Sequence, residues 1–275
     1  MALDFYLPLL TFPDPTDKDA LRRGLDLAAT LGGQATVQVN EVDIPNIRNL
    51  LGEVLLDLSA MIASAEARSH AAAEDLANEA ELAAKRLQLP LTLRRVRGEA
   101  AALPDLVAAA ARTFDYCILP ECGDQQAAMA EAVLFGSGGP VLLLPTSDTA
   151  FHLEVATIAW DGSRAAARAV RDALPIIAHA KKVVVLIVTD DKPLDSTLNE
   201  ALAEHLRYRG VTCEFATVKR GASDVGECLQ QAALAADAGL LIMGAYGHNR
   251  LREWVLGGAT RSLLAHRQLT VLMSH

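Results

Sequence analysis

The sequence predicts an α/β protein made of two tandem, doubly wound, five-stranded parallel sheets flanked by helices. Apolar runs of strand length alternate with helical patterns along the 275 residues. The runs are continuous rather than alternating, which is typical of strands covered on both faces. The order β-α-β-α-β-α-β-α-β occurs twice, which indicates a duplicated unit. We therefore predict domains at 1–147 and 151–275, separated by a short polar break.

Each repeat opens with an apolar run, an aspartate and a hydroxyl residue. The run at 5–12 is followed by Asp14 and Thr16, and the run at 155–160 by Asp161 and Ser163. Thr16 and Ser163 stand where a helix N-cap belongs, which predicts helices over 17–31 and 164–180. We interpret both aspartates as capping or ligand-positioning groups rather than catalytic carboxylates.

The remaining strands follow in the same order in both repeats. A long Ala- and Leu-rich insert at 45–89 distinguishes the first repeat, and it predicts two helices or one long bent helix. The predicted strands are 34–40, 91–98, 114–119 and 140–145 in the first repeat, and 182–189, 211–221, 238–243 and 269–274 in the second.

Composition and charge disfavour several classes of function. The net charge of −9 disfavours polyanionic partners, so we expect no nucleic-acid binding. No apolar stretch reaches membrane-spanning length and the first residues lack a basic signal region, so we expect a cytoplasmic protein without membrane contact. We expect no metal site and reduced thiols, since no CxxC pair or nearby histidine accompanies Cys117, Cys122, Cys213 and Cys228.

A glycine-rich stretch after the fourth strand of the second repeat predicts an anion site. It runs from Met243-Gly244 through Gly247 to Gly257-Gly258, where the last helix begins. Glycines let main-chain N–H groups approach a phosphate, and a helix N-terminus adds positive potential. Ligands of open α/β sheets bind at this end of the strands. In the alternative interpretation, the glycines only permit close helix–strand packing.

The spacing of Gly244, Gly247 and Gly257 resembles the G-x2-G-x9-G motif of the universal stress protein family, and the resemblance extends over both repeats. It implies a Rossmann-like, adenine nucleotide alpha hydrolase-like fold. It also implies ATP as the ligand, with Mg²⁺ only as the companion of a triphosphate. The positions implied for nucleotide contact are Asp161, Val188, Met243, Gly244, Tyr246, Gly247, His248, Gly257, Gly258, Ala259 and Thr260.

The motif departs from the family at two positions. Gly258 replaces the usual Ser or Thr, so one hydroxyl bond to phosphate, worth about 0.5–1.5 kcal/mol, is missing. Thr260 is the candidate substitute. Tyr246 stands where a cation is common, which leaves His248, Arg250 and Arg252 to meet phosphate charge.

The first repeat lacks the motif. Pro120 replaces the first glycine, and the following loop is six residues shorter than in the second repeat. The glycine-rich stretch at 136–139 predicts a tight turn before the last strand. We therefore predict no nucleotide in this half, whose role would be structural or regulatory.

Three functions remain open. The first is an ATP-binding stress or regulatory protein with its site in the second repeat. The second is a structural or interaction protein without nucleotide, acting through dimerisation. The resemblance implies that the last strands, at 141–144 and 269–274, pair either within one chain as a pseudo-dimer or in a homodimer. The third is another adenine-binding enzyme, although the sequence contains no P-loop and no nucleophile–base pair, so we assign no catalytic residue and expect slow ATP hydrolysis at most.

Overall fold

The computed structural model describes residues 2–45, 58–120, 125–145, 150–190, 196–221, 223–245 and 258–275. The chain divides into two compact units, Met1–Ser137 and Gly138–His275. Strands and helices alternate in both units, which confirms the predicted α/β class. No helix in the described ranges is both long and apolar enough to cross a membrane.

The first unit contains a parallel sheet in the order β3-β2-β1-β4. Every residue of β1 from Phe5 to Leu10 is buried, as continuous apolar strands require. The strands are β1 (Asp4–Leu10), β2 (Gln34–Asp43), β3 (Leu91–Glu99) and β4 (Tyr116–Leu119). The helices are α1 (Lys18–Thr30), α2 (Leu58–Leu87), α3 (Leu103–Ala111) and α4 (Gln125–Gly136).

The predicted N-cap of α1 is wrong by one residue. Asp17, not Thr16, caps the helix, since its Oδ1 accepts hydrogen bonds from Asp19 N and Ala20 N at 2.9 and 3.0 Å. Thr16 instead closes the turn after β1, where its Oγ1 accepts from Leu10 N and its own N–H donates to Leu10 O. Thr16 and Asp17 are both residue types that cap helices, so the sequence pattern does not distinguish between them. The geometry of the turn after β1 decides which one is the N-cap.

The insert of the first repeat contains one long helix in its described part. Helix α2 has 30 residues, about 45 Å at 1.5 Å per residue, whereas residues 46–57 lie outside the described ranges. Its buried stripe is mostly alanine, which allows close packing on β2. Ion pairs join α2 to α1, with Lys18 Nζ 2.6 Å from Asp75 and Arg22 Nε 2.8 Å from Glu79.

The second unit contains a sheet in the order β5-β10-β9-β6-β7-β8, parallel except for β5. The strands are β5 (Val141–Leu143), β6 (Val155–Ala159), β7 (Lys182–Val188), β8 (Cys213–Val218), β9 (Leu240–Gly244) and β10 (Thr270–Ser274). The helices are α5 (Arg164–Ile177), α6 (Ser196–Tyr208), α7 (Val225–Ala235) and α8 (Gly258–Ala265).

Strand β5 comes from the end of the first repeat but lies in the second unit. It pairs antiparallel with β10, with Leu142 opposite Leu272. Arg267, which is 2% exposed, supports this pairing because its guanidinium donates to Leu144 O at 3.1 Å and to the Leu263 and Leu264 carbonyls at the end of α8. The last strands of the two repeats therefore meet within one chain.

Candidate functional site

The carboxyl ends of β9, β6 and β7 are neighbours at one edge of the second unit's sheet. This edge carries four of the predicted site residues: Met243 and Gly244 at the end of β9, Asp161 after β6, and Val188 at the end of β7. Helix α8 starts after β9 with Gly258, Ala259 and Thr260. The topology thus brings seven of the predicted residues to the sheet end where open α/β sheets bind ligands.

Asp161 stabilises the turn between β6 and α5. Its Oδ1 accepts from Ser163 N at 2.9 Å, and Gly162 takes a φ of +70°, which favours glycine. Ser163 is the N-cap of α5 as predicted, since its Oγ accepts from Ala166 N at 3.1 Å. Asp161 is itself exposed. The carboxylate therefore caps a turn while facing solvent, where a ligand hydroxyl can reach it.

Gly244 lies against the backbone of the first turn of α5. A Cβ atom here would stand 2.4 Å from both Ala165 C and Ala166 N. Neither backbone atom can move away without shifting the helix. Close packing therefore requires a glycine at this position whether or not a phosphate binds. For Gly244, this agrees with the alternative interpretation that the motif glycines permit close helix–strand packing.

Asp190, two residues after the end of β7, carries a carboxylate that sequence reasoning missed. After half-buried Val188, Thr189 N donates to Val218 O, and the oxygens of Asp190 accept from Arg220 N at 2.8 Å and Gly221 N at 2.9 Å. These backbone hydrogen bonds lower the pKa of Asp190. The signal was a polar Thr-Asp pair directly after an apolar strand.

The start of α8 is fixed by α7. A Cβ on Gly226 would lie 2.7 Å from Ala259 O and 3.2 Å from Ser262 Cβ, so the two helices touch at this glycine. Thr260 is only 2% exposed. Its role as the substitute for the missing motif hydroxyl stays a prediction.

The centre of the predicted phosphate loop lies outside the described residues. This applies to Tyr246, Gly247, His248 and Gly257, and likewise to Arg250 and Arg252. Their predicted contacts with phosphate stay predictions.

Trp160 is a second residue at this edge that sequence reasoning missed. It follows the last residue of β6, its main-chain N donates to Leu186 O at 3.0 Å, and its side chain is 9% exposed. The indole Nε1 is buried and has no hydrogen-bond acceptor in the described part of the chain. Its place immediately before Asp161 was the available signal.

The equivalent sheet end of the first unit is filled by its own side chains. Ser69 of α2 is fully buried, and its Oγ lies 2.9 Å from Val42 N and 2.7 Å from Thr11 Oγ1. Thr11 Oγ1 donates in turn to Asn40 O at 2.7 Å, and Glu66 Oε1 accepts from Ile44 N. Protein groups thus satisfy the main chain at the end of β2.

Comparison with solved structures identifies the fold. A universal stress protein from Archaeoglobus fulgidus is similar over 98% of this chain and 97% of its own, with a TM-score of 0.69 and 15% identity. The fold is that of the universal stress proteins. A candidate universal stress protein and a functionally unknown protein, both from Pseudomonas aeruginosa, match with TM-scores of 0.54 and 0.51 at 16% and 15% identity. The two matches extend over 99% and 98% of this chain, and over 93% and 92% of the matched chains.

The sequence comparisons add no relative, because no family model and no curated protein matches the chain. The predicted resemblance to universal stress proteins is thus confirmed through the fold.

Charge differs sharply between the two units of this universal stress protein fold. Residues 1–137 contain 11 Lys and Arg against 20 Asp and Glu, whereas residues 138–275 contain 14 of each. The net charge of −9 therefore belongs to the first unit. A polyphosphate meets less long-range repulsion at the neutral second unit.

Metal and thiol chemistry receive no support from the described ranges. They contain no group of three or more His, Cys, Asp or Glu side chains that could hold a metal ion. Cys117, Cys213 and Cys228 are free thiols, and burial raises the pKa of each. A raised pKa lowers the thiolate fraction and with it the nucleophilicity.

Proposed function

We propose that the chain is a tandem universal stress protein that binds ATP or a related adenine nucleotide in its second unit and acts as a stress-responsive or regulatory protein. The observation that supports it is the contrast between the two sheet ends. In the first unit, protein side chains form hydrogen bonds with the main chain at the end of β2. The second unit presents an exposed carboxylate, Asp161, and the buried indole N–H of Trp160, which has no acceptor among the described residues.

The proposed contacts follow the geometry of the edge. The Asp161 carboxylate is the acceptor for a ribose hydroxyl. The main chain at Val188 is the partner of the adenine base, since it lies at the end of the strand next to β6. The N-terminus of α8 at Gly258 faces the phosphates with its positive dipole end. Mg²⁺ would enter only with a triphosphate.

A function without nucleotide is the second candidate, and one observation favours it. Gly244, the first glycine of the motif, is already explained by its contact with α5. In this case the second unit would offer a surface for a partner or a second copy, and Gly244 would be a packing residue.

Nucleotide release and calorimetry separate the two candidates. We expect ATP or ADP in the supernatant of the denatured purified protein, and a calorimetric titration with ATP and Mg²⁺ to give one site per chain. Asp161→Ala should weaken binding by about 10- to 150-fold, because a charge-assisted hydrogen bond is worth about 1.5–3 kcal/mol. Its matched control is Asp14→Ala, the equivalent exposed residue of the first repeat, which should bind normally.

The outcomes are distinct. No heat at millimolar ATP would overturn the proposal and support the interaction protein. Two sites per chain, or equal weakening by both variants, would contradict the assignment of the site to the second unit.

A further inference from the structure

The indole nitrogen of Trp160 is a buried donor without an acceptor in the described part of the chain. The side chain is 91% buried, so solvent does not replace the missing bond. Leaving a buried donor unsatisfied is unfavourable, because the group loses its hydrogen bond to water and gains none in the folded chain. A folded chain that retains such a donor at a ligand-binding edge gains from any partner that brings an acceptor to it.

The location of the indole follows from the strand register. Ile158 of β6 is paired with Ile242 of β9, so two residues further on Trp160 lies beside Gly244, on the same sheet face. That face is covered by the first turn of α5, where the Gly244 backbone meets Ala165 and Ala166. Trp160 therefore lies immediately before the Asp161 turn and beside the strand residue that contacts the first turn of α5.

The first unit has an aliphatic side chain at the equivalent position. Pro8 pairs with Gln38 as Ala159 pairs with Leu186, which makes Leu9 the equivalent of Trp160. Leu9 is fully buried and has no polar side-chain group, so the indole N–H distinguishes the second unit at this place.

We propose that Trp160 Nε1 is a specificity-determining donor, which binds an acceptor atom on the nucleoside half of the ligand. The nucleoside is favoured over the phosphates because Trp160 is hydrogen-bonded to β7 at Leu186, two residues before Val188, on the side away from the start of α8. Ring nitrogens of a purine and ribose oxygens are acceptors of the required kind. This inference rests on the proposed nucleotide function.

Indole NMR tests the bond directly. The chain has two tryptophans, so a ¹⁵N-labelled sample should give two indole N–H signals, assigned by Trp160→Phe and Trp254→Phe. We expect adenosine and ATP to move the Trp160 proton signal downfield and to slow its exchange with solvent. Inorganic tripolyphosphate, which lacks the nucleoside, should leave the signal in place.

Affinity provides the second readout. Trp160→Phe keeps an aromatic ring and removes the donor, and we expect adenosine and ATP to bind about tenfold more weakly. The matched control is Ser274→Ala, which removes another buried hydrogen-bonding group without a partner in the described ranges, at the end of β10. Gly244 and its contact with α5 separate Ser274 from Trp160 in the strand order, so Ser274→Ala should bind normally.

The two proposals fail in different ways. If the wild-type chain binds no adenine nucleotide, the proposed function is wrong. If it binds ATP while the Trp160 signal stays unchanged, or moves with tripolyphosphate alone, the inference is wrong and the function stands. Equal weakening by Trp160→Phe and Ser274→Ala would also overturn the inference, since the loss would then not depend on the indole N–H.

Discussion

Gly244 and Ala166 approach each other so closely that a Cβ atom on Gly244 would stand 2.4 Å from the Ala166 nitrogen. The first glycine of the phosphate-loop motif is therefore also a packing residue of the strand–helix contact. Loss of nucleotide binding after its substitution would not prove a phosphate contact, which is why Asp161 and Trp160 are the better probes of the site.

Substitution of Gly244 should destabilise the second unit even without ligand. We expect Gly244→Ala to lower the free energy of unfolding by about 1–3 kcal/mol, because the added methyl overlaps main-chain atoms. Tryptophan fluorescence in urea measures this unit, since Trp160 and Trp254 both lie within 138–275.

The control for Gly244 is Gly98→Ala. An added Cβ at this strand residue meets Leu106 Cδ1 at 3.1 Å, the mobile end of a side chain, so the cost should stay below about 1 kcal/mol when followed by circular dichroism. Equal unfolding free energies for wild type and Gly244→Ala would show that the contact with α5 is not tight in solution.

Ser69 should hold the closed sheet end of the first unit. Ser69→Ala leaves Val42 N–H without its acceptor and Thr11 without its neighbour, so we expect a loss of about 1–3 kcal/mol. Hydrogen exchange provides the local readout, because the Val42 amide should exchange faster in the variant. Exposed Ser64 on the same helix is the control, and Ser64→Ala should change stability by less than about 0.5 kcal/mol. An unchanged Val42 exchange rate would refute the role given to Ser69.

Arg267 should stabilise the end of α8 and the β5–β10 pair. Arg267→Met keeps much of the volume but removes hydrogen bonds to Leu144, Leu263 and Leu264, so we expect a loss of about 2–4 kcal/mol in tryptophan-monitored unfolding. The control is Arg168→Met, which removes a 42%-exposed guanidinium paired with Asp172 and should cost less than about 1 kcal/mol. Similar losses for both arginines would mean that burial adds nothing at Arg267.

Asp190 should give the second unit an acid-sensitive contribution. Backbone hydrogen bonds from Arg220 and Gly221 lower its folded-state pKa below the ordinary 3.8. A lowered folded-state pKa stabilises the chain above the unfolded pKa, and this stabilisation is lost as the pH falls through the folded-state value. Asp190→Ala should therefore be less stable than wild type at neutral pH, and the difference should shrink below about pH 4.

The measurement for Asp190 is urea unfolding by tryptophan fluorescence between neutral pH and the acid limit of the native state. Glu204→Gln is the control, since this exposed carboxylate lies 3.8 Å from Arg207 in a surface ion pair, and the substitution should change stability by less than about 1 kcal/mol. A difference between wild type and Asp190→Ala that stays constant through the acid range would contradict the lowered pKa.

Much of the fold could be predicted from the sequence because the strands are buried on both faces and their apolar runs are unbroken. The start of β7 at Lys182 and the cap of α5 at Ser163 agree with the predicted pattern. Strand ends were less accurate: β2 continues to Asp43, three residues beyond the prediction, because its pairing with β3 extends to Glu99. Such pairing depends on a distant strand, which a local pattern does not contain.

Three further features also needed the structure, one in the first unit and two at the candidate site. The cap of α1 moved to Asp17 because Thr16 is held by Leu10. Asp190 and Trp160 were missed because their importance depends on partners, present or lacking, from other elements.

The sequence by itself determined the duplication, the α/β class and the sheet edge at which a ligand of the second repeat is expected, since periodicity, composition and chain order are local properties. Only the tertiary structure decided that β5 pairs with β10, that Ser69 closes the sheet end of the first unit and that Gly244 is fixed by α5. Each of these is a contact between residues distant in the chain, and its energy depends on distances that appear only when the elements pack.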